Sequence, residues 1–296
     1  MAVSGEFADW ATELTMRHVP LSVRRATCRG ILEAITVGVG AARVGTVDPA
    51  VHVAVGIGGP PEAELIGHAA GRLAAPAAAL ANGMLIGAGR AEPDPVTGAL
   101  AVVLPVALAV GQEVKARGDE VLLAVIAGHE TACRLTAPGD ARAGGLLGAA
   151  LAAALLMALD RSRIRDAVGI AGEFASGPGS GGGTLGVGEG VAAGNAIIAA
   201  RLAASGASGP DVGIDELCRA RRLAPGAVLD GLGEQWSCGR SPAAKMTDHQ
   251  FDLEACERLG GRRRDARALI AEIRALAFAP SLDSILALTV RVAAGT

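Results

Sequence analysis

Between Gly177 and Thr184 the chain reads GPGSGGGT, which fits the spacing G-x-x-x-x-G-G-T. A nucleotide-binding loop of that spacing carries a lysine before the hydroxyl residue: the lysine reaches the outer phosphates, and the Ser or Thr meets the metal. Gly183 stands where that lysine belongs. Context argues against the phosphate reading as well. The segment before the glycines, DRSRIRDAVGIAGEF, reads as an apolar helix rather than a strand, and no strand ending in a metal-binding Asp is evident. Two readings of the glycine run remain. It is a ligand loop, where Gly lets a molecule approach the backbone, or it is a plain connector.

Carboxylates and arginines that could handle protons or anions fall in three places. Arg90, Glu92 and Asp94 share a proline-flanked polar loop, and Asp140 and Arg142 share a second. Each group is either a solvated turn or a set that orients a ligand. Glu173 closes an apolar helix beside the glycine run. A carboxyl desolvated there would hold its proton and serve as a general acid; otherwise it meets water at the rim. Glu189, at the next helix start, reads as a charge favoured by the helix dipole. His18, His52, His68, His129 and His249 are isolated from one another, with structural roles expected. Five scattered cysteines form no C-x-x-C pair, so neither a zinc site nor a nucleophile is indicated.

These groups must be positioned by helices. The 296-residue chain is 51% hydrophobic, enough for a large core. Its apolar segments read as helices at 4–17, 21–41, 74–87, 99–116, 119–135, 145–159, 161–175, 190–205, 214–221 and 265–277. Several have no polar face and must be buried on all sides, which calls for one or two central helices ringed by others. VHVAVG (Val51–Gly56) and AELIG (Ala63–Gly67) read as short strands. Ser4, Asp160, and Asp119 or Gly118 are the expected helix caps, and Pro20 precedes the second helix. Residues 206–246 form an irregular connector between a main bundle (1–205) and C-terminal helices (247–296), all in one helical domain. Arg262–Arg264 read as a solvated helix start, with an anion site as the alternative.

Bulk properties exclude several classes. A net charge of −3 and 2% aromatic content, with no Tyr, leave neither a basic footprint nor stacking platforms for nucleic acid. The uncharged stretch Ala143–Leu159 is Ala- and Gly-rich and reads as a buried helix, so no membrane span is expected. Glu6, Asp9 and Glu13 interrupt the start of the chain, and the odd cysteine count suits a reducing cytoplasm. Arg in place of nearly all Lys, with heavy Ala and Gly, is the usage of a GC-rich bacterial genome.

The order of segments resembles the MmgE/PrpD family, which includes 2-methylcitrate dehydratase and cis-aconitate decarboxylase. The resemblance runs through FADWATEL, HVPLSVRRATCRGILEAI, APAAALANGMLIGAG and LPVALAVGQEVKARGDEVLLAVIAGHETACRL. It continues in GGLLGAALAAALLMALDRSRIRDAVGIAGEFASG and EGVAAGNAIIAARLAASG, then LGEQWSC and KMTDHQFDLEACERLGGRRRDARALI. It implies an all-α main domain in a large multi-helix bundle, a homodimer, and an α/β lid inserted before the last helices. Here the chain passes from LGEQWSC straight into those helices, so the lid is expected to be missing. The family's catalytic positions are also replaced. Its His and acidic cluster after Asn82-Gly83 fall at Gly87, Arg90, Glu92 and Pro93. Its His-Pro falls in VTGALAVVLP, its His-x-Thr in PGDARAGG, and its lysine near Leu185.

The resemblance together with these losses sets the functional expectation. Glu173, Asp94 and Glu92 are the candidate catalytic groups. Met84, Gly87, Arg90, Asp140, Arg142, Ser180, Thr184 and Leu185 are the candidate substrate contacts. The substrate is expected to be a small hydrophobic organic molecule of polyketide type, undergoing ring closure or isomerisation without metal or cofactor. A non-catalytic scaffold subunit and a residual dehydratase or decarboxylase are the alternatives.

Overall fold

The computed structural model describes residues 3–45, 47–89, 95–136, 141–175, 186–210, 213–238 and 246–295. Helices α1 (Val3–Glu13), α2 (Leu21–Val44) and α3 (Asp48–Ile57) lead into a hairpin of β1 (Ala63–Leu65) and β2 (His68–Leu73). The bundle then runs through α4 (Ala75–Ala88), α5 (Pro95–Glu113), α6 (Gly118–Leu135), α7 (Ala141–Leu156), α8 (Arg161–Phe174) and α9 (Val187–Ala204). Short α10 (Gly213–Ala220) and α11 (Pro225–Leu229) precede α12 (Asp248–Leu259), α13 (Arg263–Arg274) and α14 (Asp283–Ala294). Among the described residues the antiparallel hairpin is the only sheet, and no strand lies between α9 and α12. The architecture is all-α.

The all-round apolar helices sit where their composition requires. From Ala99 to Val110 every α5 residue is buried, and so is every α7 residue from Ala143 to Ala154. These two form the centre, with α4, α6 and α9 packed around them. No single described helix is long and apolar enough to cross a membrane. The hairpin is tied to the bundle by Asn82 on α4, which is fully buried. Its Oδ1 accepts the Ile66 N–H at 2.8 Å, and its Nδ2 donates to the Glu64 carbonyl at 3.1 Å.

Helix ends correct some expectations. Asp160 caps α8 as expected, its Oδ1 accepting the Arg163 N–H at 3.0 Å. Ser4 does not cap α1; it lies buried inside it. At α6 the cap residue is Arg117, whose N–H donates to Glu120 Oε2 at 2.7 Å, while Asp119 takes the Arg117 guanidinium. VHVAVG is helical, not extended. Pro49 opens α3 in its first turn, and Ala50, Val51 and Ala54 turn one face inward, so packing overrides β-branched propensity. Arg263 opens α13 with exposed arginines, as expected for a solvated start.

The connector holds more order than its composition suggests. Glu130 on α6 is fully buried and receives Arg134 Nε at 2.6 Å. Its Oε2 accepts the Ser237 and Cys238 N–H groups at 2.8 and 2.9 Å. Arg134 in turn donates to the carbonyls of Val228, Asp230, Gly231 and Gln235. Trp236 packs on Trp10, ring centres 6.1 Å apart, so the same stretch also meets α1.

Candidate functional site

Among the described residues, the end of α4, the start of α7 and the start of α9 lie close together. The C-terminal half of α4 crosses the first turns of α9 at glycines. A methyl group at Gly83 would stand 2.8 Å from the Gly190 Cα. One at Gly87 would stand 2.8 Å from the Gly186 Cα and 3.0 Å from Glu189 Oε2. Gly186 takes φ +61 just before α9, a left-handed conformation that L side chains rarely adopt. Two glycine pairs, each spaced four residues apart, thus bring two backbones nearly into contact.

Arg142, in the first turn of α7, completes the group: a Cβ at Gly188 would meet its Nη1 at 2.8 Å. Met84, Gly87 and Arg142, three of the residues selected from sequence, are therefore gathered around the start of α9. Glu189 joins them as a residue the sequence reading assigned only to the helix dipole. Its carboxyl lies over Gly87, at the position where the resemblance puts a histidine. The glycine pairs at 83/87 and 186/190 were the signal for that contact. Glu189 does sit in the first turn, as a dipole partner should.

Glu173 is placed otherwise. It occupies the last turn of α8 and is exposed, so the burial that a desolvated general acid requires is absent and the rim reading fits. Arg90, Glu92, Asp94, Asp140, Ser180, Thr184 and Leu185 lie outside the described residues. The segment before the glycine run is helix α8, which removes the strand a phosphate loop would follow.

Among the described residues the gathered groups offer one carboxyl group, on Glu189, and one fixed cation, the Arg142 guanidinium. None of the five histidines lies in this group, and of the two lysines Lys115 follows α5 at that helix's far end. No described cluster of three or more His, Cys, Asp or Glu is arranged to hold a metal. Burial pushes the Cys28 thiol up to about 11 and raises Cys238 well above the usual range, so both stay protonated at neutral pH. All five cysteines are free. An open groove of about 530 Å³ lies at the first turn of α6, lined by Leu14, Met16, His18, Asp119 and Leu123. It is at the opposite end of α6 from the α7 start and contains none of the residues selected above.

All-α architecture around buried α5 and α7, with α4, α6 and α9 packed about them, makes the protein a multi-helix bundle. A sequence model described as MmgE/PrpD N-terminal domain matches residues 5–216, and the chain belongs to the MmgE/PrpD family. No curated protein matches the chain.

Proposed function

We propose that this chain is a repurposed member of its family, in which the ends of α4, α7 and α9 shape a site for a small, mainly hydrophobic organic molecule. The step we assign is ring closure or isomerisation of a polyketide-like substrate, pericyclic in its most specific form, without cofactor. One observation carries the reading: Glu189 and Arg142 converge on the glycine contact between α4 and α9, with Met84 beside them and, among the described residues, neither His nor Lys. Removing a proton beside a carboxylate and expelling water needs a base, an acid and cationic anchors together. A pericyclic step moves electron pairs within the substrate and asks chiefly for a restricted conformer, which a shaped wall and one or two hydrogen bonds supply.

The test is turnover by the purified full chain. Incubation with 2-methylcitrate or cis-aconitate is expected to leave both unchanged, and linear polyene or polyketide-like precursors are expected to cyclise or isomerise. Turnover of either tricarboxylate overturns the proposal. Within it, Glu189→Gln lowers the rate by less than about tenfold, whereas loss of a proton-transferring group costs about a hundredfold or more. A second reading, a non-catalytic binding subunit, draws on the exposed apolar side chains of α9; it predicts binding with no turnover of any precursor.

A further inference from the structure

Helix α13 opens against the usual chemistry of a helix start. The dipole there favours carboxylates and a side-chain cap, which Thr247 and Asp248 supply for α12. At α13 the same positions hold exposed Arg262, Arg263 and Arg264, with no side-chain cap. Exposed Arg267 follows one turn later, and among the described residues none of the four meets a carboxylate. Exposed arginines elsewhere are neutralised, Arg117 by Asp119 and Arg258 by Glu33.

Packing brings two more cations to this corner. Arg43, exposed at the end of α2, is held by neutral groups: its Nη2 donates to the Leu259 carbonyl and, at 2.9 Å, to the Val292 carbonyl. A Cβ at Gly260 would lie 3.0 Å from its Nη1, so the guanidinium rests against the turn that leads into α13. Arg291 on α14 is 61% exposed and comes within 3.9 Å of Asp265. Asp265 and exposed Glu257 are the acids of these helix ends, which leaves positive charge in surplus on a chain of net charge −3.

Beside the cations the surface is aliphatic. Val44 follows Arg43 directly and is 78% exposed. The chain turns at Gly45, φ +72, ahead of α3. There Val53 and Ile57, four residues apart, are each 58% exposed, and Val55 is exposed with them. From Ala50 to Pro61 the chain carries no Asp, Glu, Lys or Arg. Helix α3 buries Ala50, Val51 and Ala54, so its larger aliphatic side chains include three that meet water.

A bilayer with anionic lipid suits both halves of this corner. Its phosphates pair with guanidinium groups, and aliphatic side chains enter the boundary between headgroups and acyl chains. A nucleic acid would meet the charge and leave Val44, Val53 and Ile57 in water. A protein partner is commonly gripped by an aromatic anchor, and the corner has none. We infer that the arginines around the start of α13, with Arg43 and the aliphatic edge from Val44 to Ile57, dock the protein peripherally on an anionic lipid surface. The docking stands apart from the proposed activity, whose site is at the ends of α4, α7 and α9.

Flotation of the full chain with vesicles tests it. Mixed phosphatidylcholine–phosphatidylglycerol vesicles are expected to carry the protein up the gradient, and phosphatidylcholine alone to bind at least about tenfold more weakly. Raising salt from about 0.1 to about 0.5 M weakens the mixed-vesicle binding. Arg263→Glu with Arg264→Glu lowers it at least about tenfold with an unchanged far-UV spectrum, because glutamates at that end suit the helix dipole. Val53→Ser with Ile57→Ser lowers it about tenfold and leaves the salt dependence intact. Failure to float with mixed vesicles, equal binding to phosphatidylcholine alone, or indifference to the arginine pair overturns the docking. Indifference to the aliphatic pair makes the corner a general anion binder and overturns the lipid assignment. Self-association lost in Val53→Ser with Ile57→Ser, without vesicle binding by the unaltered chain, assigns the edge to a second copy and overturns it as well.

Discussion

Glu130 has no solvent contact, and three donors hold its carboxylate in two directions: Arg134 along the helix, Ser237 and Cys238 across to the connector. Removing one member of such a pair strands the other charge in a dry environment. Glu130→Ala is expected to cost about 3–5 kcal/mol of unfolding free energy in urea titration. Glu33→Ala, which breaks the exposed pair with Arg258, should cost less than about 1 kcal/mol. Gly186 makes a sharper case. Its left-handed φ and the methyl clash, 2.7 Å from the Ala88 nitrogen, predict that Gly186→Ala loses about 2–4 kcal/mol. Neither role was visible in the residue types. Glu130 carries no sequence signal for its role, because the connector that it grips is about a hundred residues away and follows no local pattern. Glu189 looked like a dipole charge because only the α4–α9 crossing reveals what its carboxyl covers.

Helices were the most legible level. Most of the main segments emerged within a few residues of their observed ends, because long apolar runs and Gly/Pro punctuation leave few alternatives in a chain with no bulky aromatic surface. The exception was α3, where three valines at alternate positions imitate a strand and only packing under α4 decides otherwise. The tail shows how local chemistry fixes a helix start. At α12, Thr247 Oγ1 accepts the Gln250 N–H at 3.2 Å while the Gln250 side chain returns to the Thr247 N–H at 3.1 Å. Thr247→Ala is expected to lower stability by about 1 kcal/mol, read as a shift in the urea midpoint at constant slope.

For the molecule as a whole, pH offers a test with a defined sign. The Arg117 guanidinium bonded to Asp119, the Arg163 N–H on Asp160 and the Arg29 guanidinium on Asp248 hold all three carboxyls below their usual range. A depressed carboxyl pKa means the folded state binds protons less readily than the unfolded one. That contribution is complete above the ordinary Asp value, near 4, and is lost as pH falls through the lowered folded value. Glu113 acts in the opposite sense. Burial, only partly offset by Arg201, raises its pKa, so its contribution is complete at low pH and lost as pH rises through the raised value. The melting temperature is therefore expected to fall steadily as pH drops below about 4, and Asp248→Asn should flatten that acid limb. A melting temperature insensitive to pH below 4 would contradict it.

The grip of Glu130 and Arg134 on residues 228–238 has a practical consequence. The family match ends at residue 216, yet a carboxylate in its interior draws backbone partners from 237 and 238. Cutting the polypeptide at the end of the match would open a dry ionic joint to water and uncap the guanidinium beside it. A fragment ended there should be recovered as aggregate or as a loosely packed species: homology and cooperative folding draw their borders in different places.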